Sequence, residues 1–164
     1  MSIERVNQDK IGIVREIAEI TWPIAFGEIL SAEQLAYMME MMYSEKILKQ
    51  QLVQGHEFYL YYHQGIPVGF MGIECRYKNL LQLKIHKLYI LPNYQGLGIG
   101  EMFIHFAENR CKELFFNTLT LNVNRYNKAV HFYEKLNFIC AKSEDIEIGN
   151  GYLMEDYVME KEIR

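Results

Sequence analysis

The stretch Leu88-Tyr89-Ile90-Leu91-Pro92-Asn93-Tyr94-Gln95-Gly96-Leu97-Gly98-Ile99-Gly100 decides the fold. Its first residues are apolar and extended in propensity, and Pro92-Asn93 ends them. Alternating glycines follow, and from Gly98 to Leu114 the residues Met102, Phe103, Phe106 and Ala107 recur on one face of an amphipathic helix. A strand, a glycine-rich turn and a helix start in that order aim several backbone N–H groups at one place, at the positive end of the helix. A pyrophosphate fits such a site. Glycine suits it because a Cβ would collide with phosphate oxygens. Two familiar phosphate ligands are excluded. An ATP loop of the P-loop type needs a lysine and a hydroxyl residue after the last glycine, and here Glu101 and Met102 follow Gly100. The dinucleotide fingerprint needs G-x-G-x-x-G, whereas Gly96, Gly98 and Gly100 make G-x-G-x-G, after antiparallel-looking strands.

Downstream, Thr118 to Asn124 reads as a short strand, and Asn127 to Leu136 as a helix with Ala129, Phe132, Tyr133 and Leu136 on its apolar stripe. Phe138 to Ile148 and Tyr152 to Glu162 form a closing strand pair around Gly149-Asn150-Gly151. Upstream, His56 to His63 and Ile66 to Arg76 flank a Gln64-Gly65 turn, and Leu83 to Leu91 is a further strand. The first third reads as helical. Ile13, Ile17, Ala18 and Ile20 recur near helical spacing until Trp22-Pro23, which is expected to stop the helix. Ser31-Ala32-Glu33-Gln34 reads as a capping box with Gln34 reaching back, and Ser44 caps another helix that ends at Gly55. The Met38-Met39-Glu40-Met41-Met42 run reads as core or groove packing. These elements predict one domain, residues 1–164, of mixed α/β class, with a central sheet at least partly parallel and flanked by helices.

A second block follows the glycine loop: Leu121-Asn122-Val123-Asn124, then Asn127-Lys128-Ala129-Val130-His131-Phe132-Tyr133-Glu134-Lys135-Leu136-Asn137-Phe138. Gln95 to Gly100 matches the Q/R-x-x-G-x-G/A pattern of the GNAT acetyltransferases, and the second block resembles that family's N-x-x-A-x-x-x-Y-x-x-x-G-F helix. The resemblance covers residues 56 to 140, and the early helices and the ending look like the PaiA-type amine and polyamine acetyltransferases. It departs in two places. Asn127 and Tyr133 stand one residue closer than the family usually has them, and Asn137 replaces the glycine before Phe138. Asparagine is the next best residue for a left-handed helix end.

The resemblance implies a GNAT fold and acetyl transfer from acetyl-CoA, as cosubstrate, to a primary amine. It assigns the CoA pyrophosphate to the amides of Gln95, Gly96, Leu97, Gly98, Ile99 and Gly100, and the pantetheine to the Leu88, Tyr89 and Ile90 backbone, where the family often has a bulge. It makes Tyr133 the proton donor to the departing thiolate. A core tyrosine is the alternative. His86, where many relatives carry a glutamate, is the candidate general base, with an ordinary pKa of ~6.5, or else a structural histidine. Asn127 caps the Tyr133 helix, contacts CoA, or both. Trp22, Tyr37 and Tyr43 are candidates to line an acceptor pocket, and Glu28, Glu33 and Glu40 to pair with a cationic acceptor. A catalytically silent CoA-binding module on the same fold fits the loop equally well.

Composition bounds the rest. A net charge of −4 argues against a nucleic-acid partner. No run of about 18 apolar residues predicts a membrane span, and Met1 to Lys10 lacks the apolar centre of a signal peptide. Cys75, Cys111 and Cys140 match no metal or disulfide framework and are expected to be buried free thiols in the cytoplasm. No metal is expected. A homodimer is compatible with the resemblance.

Overall fold

The computed structural model describes residues 2–164; Met1, the start of the charged N-terminal stretch, lies outside the described residues. The chain runs β1 (Ser2–Arg5), α1 (Ile11–Phe26), α2 (Ala32–Tyr43), α3 (Glu45–Val53), β2 (Glu57–His63), β3 (Ile66–Cys75), β4 (Gln82–Ile90), α4 (Ile99–Glu113), β5 (Thr118–Asn124), α5 (Ala129–Lys135), β6 (Ile139–Gly149) and β7 (Tyr152–Glu162). All seven strands form one sheet in the order β1-β2-β3-β4-β5-β7-β6. Every pairing is antiparallel except β4 with β5. The parallel pair follows from the helical crossover through α4, which returns the chain to the same end of the sheet.

Each face of the sheet buries its own core. On one face α4 and α5 cover Val68, Met71, Ile73, Leu83, Ile85, Leu119 and Leu121. On the other, α1, α2 and α3 cover Phe58, Leu60 and Phe70, with Trp22 buried among them. A fully buried side chain of this size contributes about 1.5–3 kcal/mol, so the two cores outweigh any surface ion pair.

Several expectations need correction. The first third is not all helical: β1 adds an edge strand, with Ser2 opposite Tyr62 and Arg5 opposite Tyr59. Helix α1 does not stop at Trp22-Pro23 but runs on to Phe26. Pro23 removes one donor, and the Glu19 carbonyl it would have met belongs to an exposed residue. Burial of Trp22 and Phe26, with rings 4.6 Å apart, offsets that loss. Ser31 Oγ accepts the Gln34 N–H at 3.1 Å, but the Gln34 side chain does not reach back. Its Nε2 donates to the Leu153 carbonyl of β7 at 3.0 Å, a bond that ties α2 to the far strand pair. Only Cys111 is buried; Cys75 is half-buried and Cys140 exposed. Asn137 takes φ +67°, the left-handed conformation expected of the residue replacing glycine.

Candidate active site

Strands β4 and β5 pair only from Gln82–Thr118 to Ile85–Leu121. Beyond that point β4 stays with β3, and β5 stays with β7 as far as Asn124–Asp156. The sheet is therefore split between its two central strands. The split begins at a bulge: Gly72 faces Lys87 and Ile73 faces Ile85, so His86 is an extra residue on β4. A bulge bends its strand and sharpens its twist. It also turns consecutive side chains to one face. Ile85 packs with the α4 core, whereas His86 stacks on His56, Lys87 lies over Tyr43 and Phe58, and Leu88 returns to the α4 core. The bulge thus precedes the Leu88–Ile90 segment where it was expected.

The split opens into a cleft of about 1060 Å³ that passes between the two faces. Its wall includes His86, Leu88, Tyr89, Ile90, Gln95, Gly96, Gly98, Ile99, Gly100, Asn127 and Tyr133, so the fold brings these candidates together. Leu97 is the exception and points to solvent, 53% exposed.

The glycine loop forms as its residues dictate. Gly96 and Gly98 both take φ +77°, which side chains rarely adopt. A Cβ on either would meet nothing within 4 Å, so the space in front of them is open. The first intrahelical bond of α4 runs from Met102 N–H to the Gly98 carbonyl at 3.0 Å, and the N–H groups before it face the loop's concavity. A diphosphate fits this cradle. Gln95 Nε2 donates to the Ile90 carbonyl at 3.1 Å and ties the loop to the strand end. Past Ile85 the β4 edge has no strand partner, so its backbone groups are available to an extended ligand carrying amides.

Tyr133 enters the cleft from the α5 side, held edge-on by Phe132 and Phe138 at ring distances of 5.1 and 5.6 Å. Burial alone raises its phenol above the ordinary tyrosine value; no hydrogen bond or charge adds to the shift. Asn127 is not the N-cap of α5, which is Lys128, but from one residue earlier its Oδ1 accepts the Ala129 N–H at 2.9 Å, satisfying the first donor of the helix while also facing the cleft.

The opposite wall comes from the other core. Trp22, Ile24, Ile29, Leu30, Met38, Met42, Leu153 and Met154 give it an apolar lining, with Glu28 at its margin. Trp22 donates from Nε1 to Tyr43 Oη at 3.2 Å, and Tyr43 lies behind it, outside the cleft. Tyr37 also lies outside, donating to the Ile148 carbonyl at 2.7 Å. Glu33 and Glu40 do not reach the cleft, and Glu40 stands 3.9 Å from Arg15.

The sequence reading missed Asp156. It is 3% exposed and faces the cleft, and it accepts from Asn122 Nδ2 at 3.2 Å. Burial raises its pKa, against the lowering pull of Asn122 and Lys84. Tyr133 and Asp156 both lie near enough to the Tyr89 phenol to raise its pKa, behind the dominant effect of burial. A charged residue inside the Tyr152–Glu162 strand was the only available signal, because its position depends on β7 lying beside β5.

His86 faces the α1–α3 side, with Nε2 at 2.7 Å from Glu74 Oε2. Burial, then Lys84, Lys87 and His56, hold its imidazole well below the usual histidine range.

The Acetyltransferase (GNAT) domain family matches residues 28–161, and the chain belongs to this family. An uncharacterized N-acetyltransferase of Methanocaldococcus jannaschii is 31% identical over 94 residues, 54% of this chain and 39% of that protein. A peptidyl-lysine N-acetyltransferase of Escherichia coli is 33% identical over 88 residues, 52% of each chain. The chain thus spans about half the length, or less, of these curated relatives. Among solved structures, the PaiA N-acetyltransferase of Thermoplasma acidophilum in complex with coenzyme A superposes with a TM-score of 0.80 at 24% identity, covering 99% of both chains. A GCN5-related N-acetyltransferase of Rhodopseudomonas palustris gives 0.83 at 19% identity, over 98% of this chain and 94% of that one. These superpositions share the fold. No helix among the described residues is long and apolar enough to cross a membrane.

Proposed function

We propose that this protein is an acetyl-CoA-dependent N-acetyltransferase that acetylates a primary amine of a small molecule or peptide by direct attack in a ternary complex. The observation that carries this reading is the buried Tyr133 phenol in the slot between β4 and β5, between the glycine cradle and a separate apolar lobe. The cosubstrate would lie with its diphosphate on Gly96 to Gly100 and its pantetheine along Leu88 to Ile90, and it supplies an activated acetyl group.

The chain's own residues then have distinct tasks. The backbone amides of Leu88 to Ile90 that point away from β3 are the donors available to the thioester oxygen. Tyr133 holds its proton across the working pH range, because its raised pKa keeps it neutral; it delivers that proton to the leaving sulfur and regains one from the second proton that the attacking nitrogen sheds as the amide forms. An acceptor ammonium must lose a proton before it attacks. Asp156 is the buried carboxylate on the acceptor wall, and its raised pKa makes it a better proton acceptor than an exposed one. His86 is the weaker candidate for that task, since its Nε2 is engaged by Glu74. The apolar lobe around Trp22 and Met38 favours an amine on an apolar stem. A lysine side chain, the substrate class named for the Escherichia coli relative, has that shape.

The test is calorimetric titration with acetyl-CoA, with thiol release measured over a panel of amines including peptidyl lysine. Tyr133→Phe is expected to lower turnover roughly 100-fold while leaving acetyl-CoA affinity nearly unchanged. Unchanged turnover removes Tyr133 from the mechanism. Binding with no thiol release from any amine favours the silent module.

A further inference from the structure

Where His86 lines the cleft wall, a second constellation gathers beside the cleft. His56, just ahead of β2, Glu74 on β3 and His86 at the β4 bulge come from three neighbouring strands, and their ligand atoms all lie within 4.8 Å of one another. Both imidazoles turn Nε2 toward the same carboxylate oxygen, Glu74 Oε2, at 2.7 Å from His86 and 3.6 Å from His56. The rings stack at 5.0 Å with 20° between their planes, so the two nitrogens present side by side. The side chains are 16%, 33% and 24% exposed for His56, Glu74 and His86, sheltered yet reachable.

We propose that His56, Glu74 and His86 form a site for a borderline divalent metal ion of the Zn²⁺ class, with a solvent molecule completing the coordination. The contact at 3.6 Å is too long for a hydrogen bond, so His56 is aimed at the carboxylate without being bonded to it. Nitrogen and oxygen ligands about 2.1 Å from a tetrahedral ion stand about 3.4 Å apart, between the two distances here. Two imidazoles and a carboxylate suit zinc or a similar ion rather than calcium or magnesium. The nearby ammonium groups are directed elsewhere: Lys84 donates to Asn122 Oδ1 at 2.7 Å, and Lys87 to Gln51 Oε1 at 3.1 Å. The extra β4 residue is what brings His86 to this face, so the ion would clamp the bulge that opens the sheet.

The full chain, stripped with a chelator, is titrated with Zn²⁺ against a chromophoric competitor and, separately, with Co²⁺ followed by its visible absorption. One ion per chain is expected, with a tetrahedral Co²⁺ spectrum. His56→Gln and His86→Gln, each checked for folding by circular dichroism, should lose that binding. Replacing both His105 and His131, which pair with glutamates on exposed helix faces, should leave it intact. In the unaltered chain, Zn²⁺ should protect His56 and His86 from acylation by diethylpyrocarbonate, mapped by mass spectrometry, which removes any dependence on variants that fail to fold. No saturable binding overturns the proposal. So does binding that survives in folded His56→Gln and His86→Gln, or protection confined to His105 and His131. None of these readouts depends on acetyl transfer, so they stand or fall apart from the proposed reaction.

Discussion

Two residues test the site most sharply, one on each side of the cleft. Gly98 sits at φ +77° with no atom near the position of a Cβ. Gly98→Ala therefore costs only backbone strain in the free protein, about 1–2 kcal/mol of stability. Gly98→Val adds bulk in front of the loop and, being β-branched at a positive φ, further backbone strain. Stability should thus fall further from alanine to valine, while the acetyl-CoA affinity of the folded variant, measured by calorimetry, falls steeply. Equal affinities for the two variants would place the diphosphate elsewhere. Asp156 sits on the other wall with its pKa raised by burial. Its ionised form is the one that accepts a proton, so the rate should climb as pH rises through its pKa. Asp156→Asn should lower turnover at neutral pH and remove that acidic limb from the pH–rate profile. A limb that persists in the variant assigns the proton to another group.

At the scale of the element, the β4 bulge decides both the site and a local cost. It turns Lys87 inward, 4% exposed, with its ammonium at 5.3 Å from the Tyr43 ring and 5.8 Å from that of Phe58. Burial lowers its pKa from 10.5 to about 8. The unfolded chain therefore binds this proton more tightly than the fold does, at a cost of roughly 3 kcal/mol below pH 8. The Gln51 bond and the two ring contacts go with the amine, together worth about 2 kcal/mol. Lys87→Met should come out about 1 kcal/mol more stable in urea at pH 7. That advantage should shrink between pH 8 and 10.5, where the folded wild type sheds the proton first. A constant difference across this window would show that Lys87 is not strained by burial. The same element marks how far sequence can be read. The turn after Pro92 was legible because its signals, Gly96, Gly98 and the α4 stripe, are local. The left-handed Asn137 was legible for the same reason. The bulge at His86 was not, because it exists only in the register of β4 against β3. Neither the place of Asp156 beside Asn122 nor the meeting of His56, Glu74 and His86 was visible, since each needs strands far apart in sequence to lie side by side. Pro23 misled because the burial of Trp22 and Phe26 outweighs a local rule.

For the whole molecule, the split sheet divides the interior into two cores on opposite faces, joined through β2 and β3 but parted along the cleft. One core carries the glycine loop and Tyr133; the other carries Trp22 and the acceptor lobe. A ligand threaded along β4 past Ile85 would supply backbone contacts where the sheet lacks a strand, and so act on the stability of the whole fold rather than on one loop. Linkage gives the size. At a concentration 100 times its dissociation constant, a ligand that binds only the native state adds about 2.7 kcal/mol. For a chain of 164 residues that corresponds to a rise in Tm of about 5–10 °C. Calorimetric scans with coenzyme A should show a single transition shifted by that amount, with both cores melting together. Free 3′,5′-ADP occupies no part of the split, so its shift at the same multiple of its own dissociation constant should equal that of coenzyme A, since linkage depends on occupancy alone. The distinguishing quantity is cooperativity. If coenzyme A resolves two transitions, it holds only the α4–α5 core, and the slot does not bind the pantetheine across both halves of the sheet. If the transition stays single, the liganded fold melts as one cooperative unit, as binding along the edge of β4 that faces away from β3 requires.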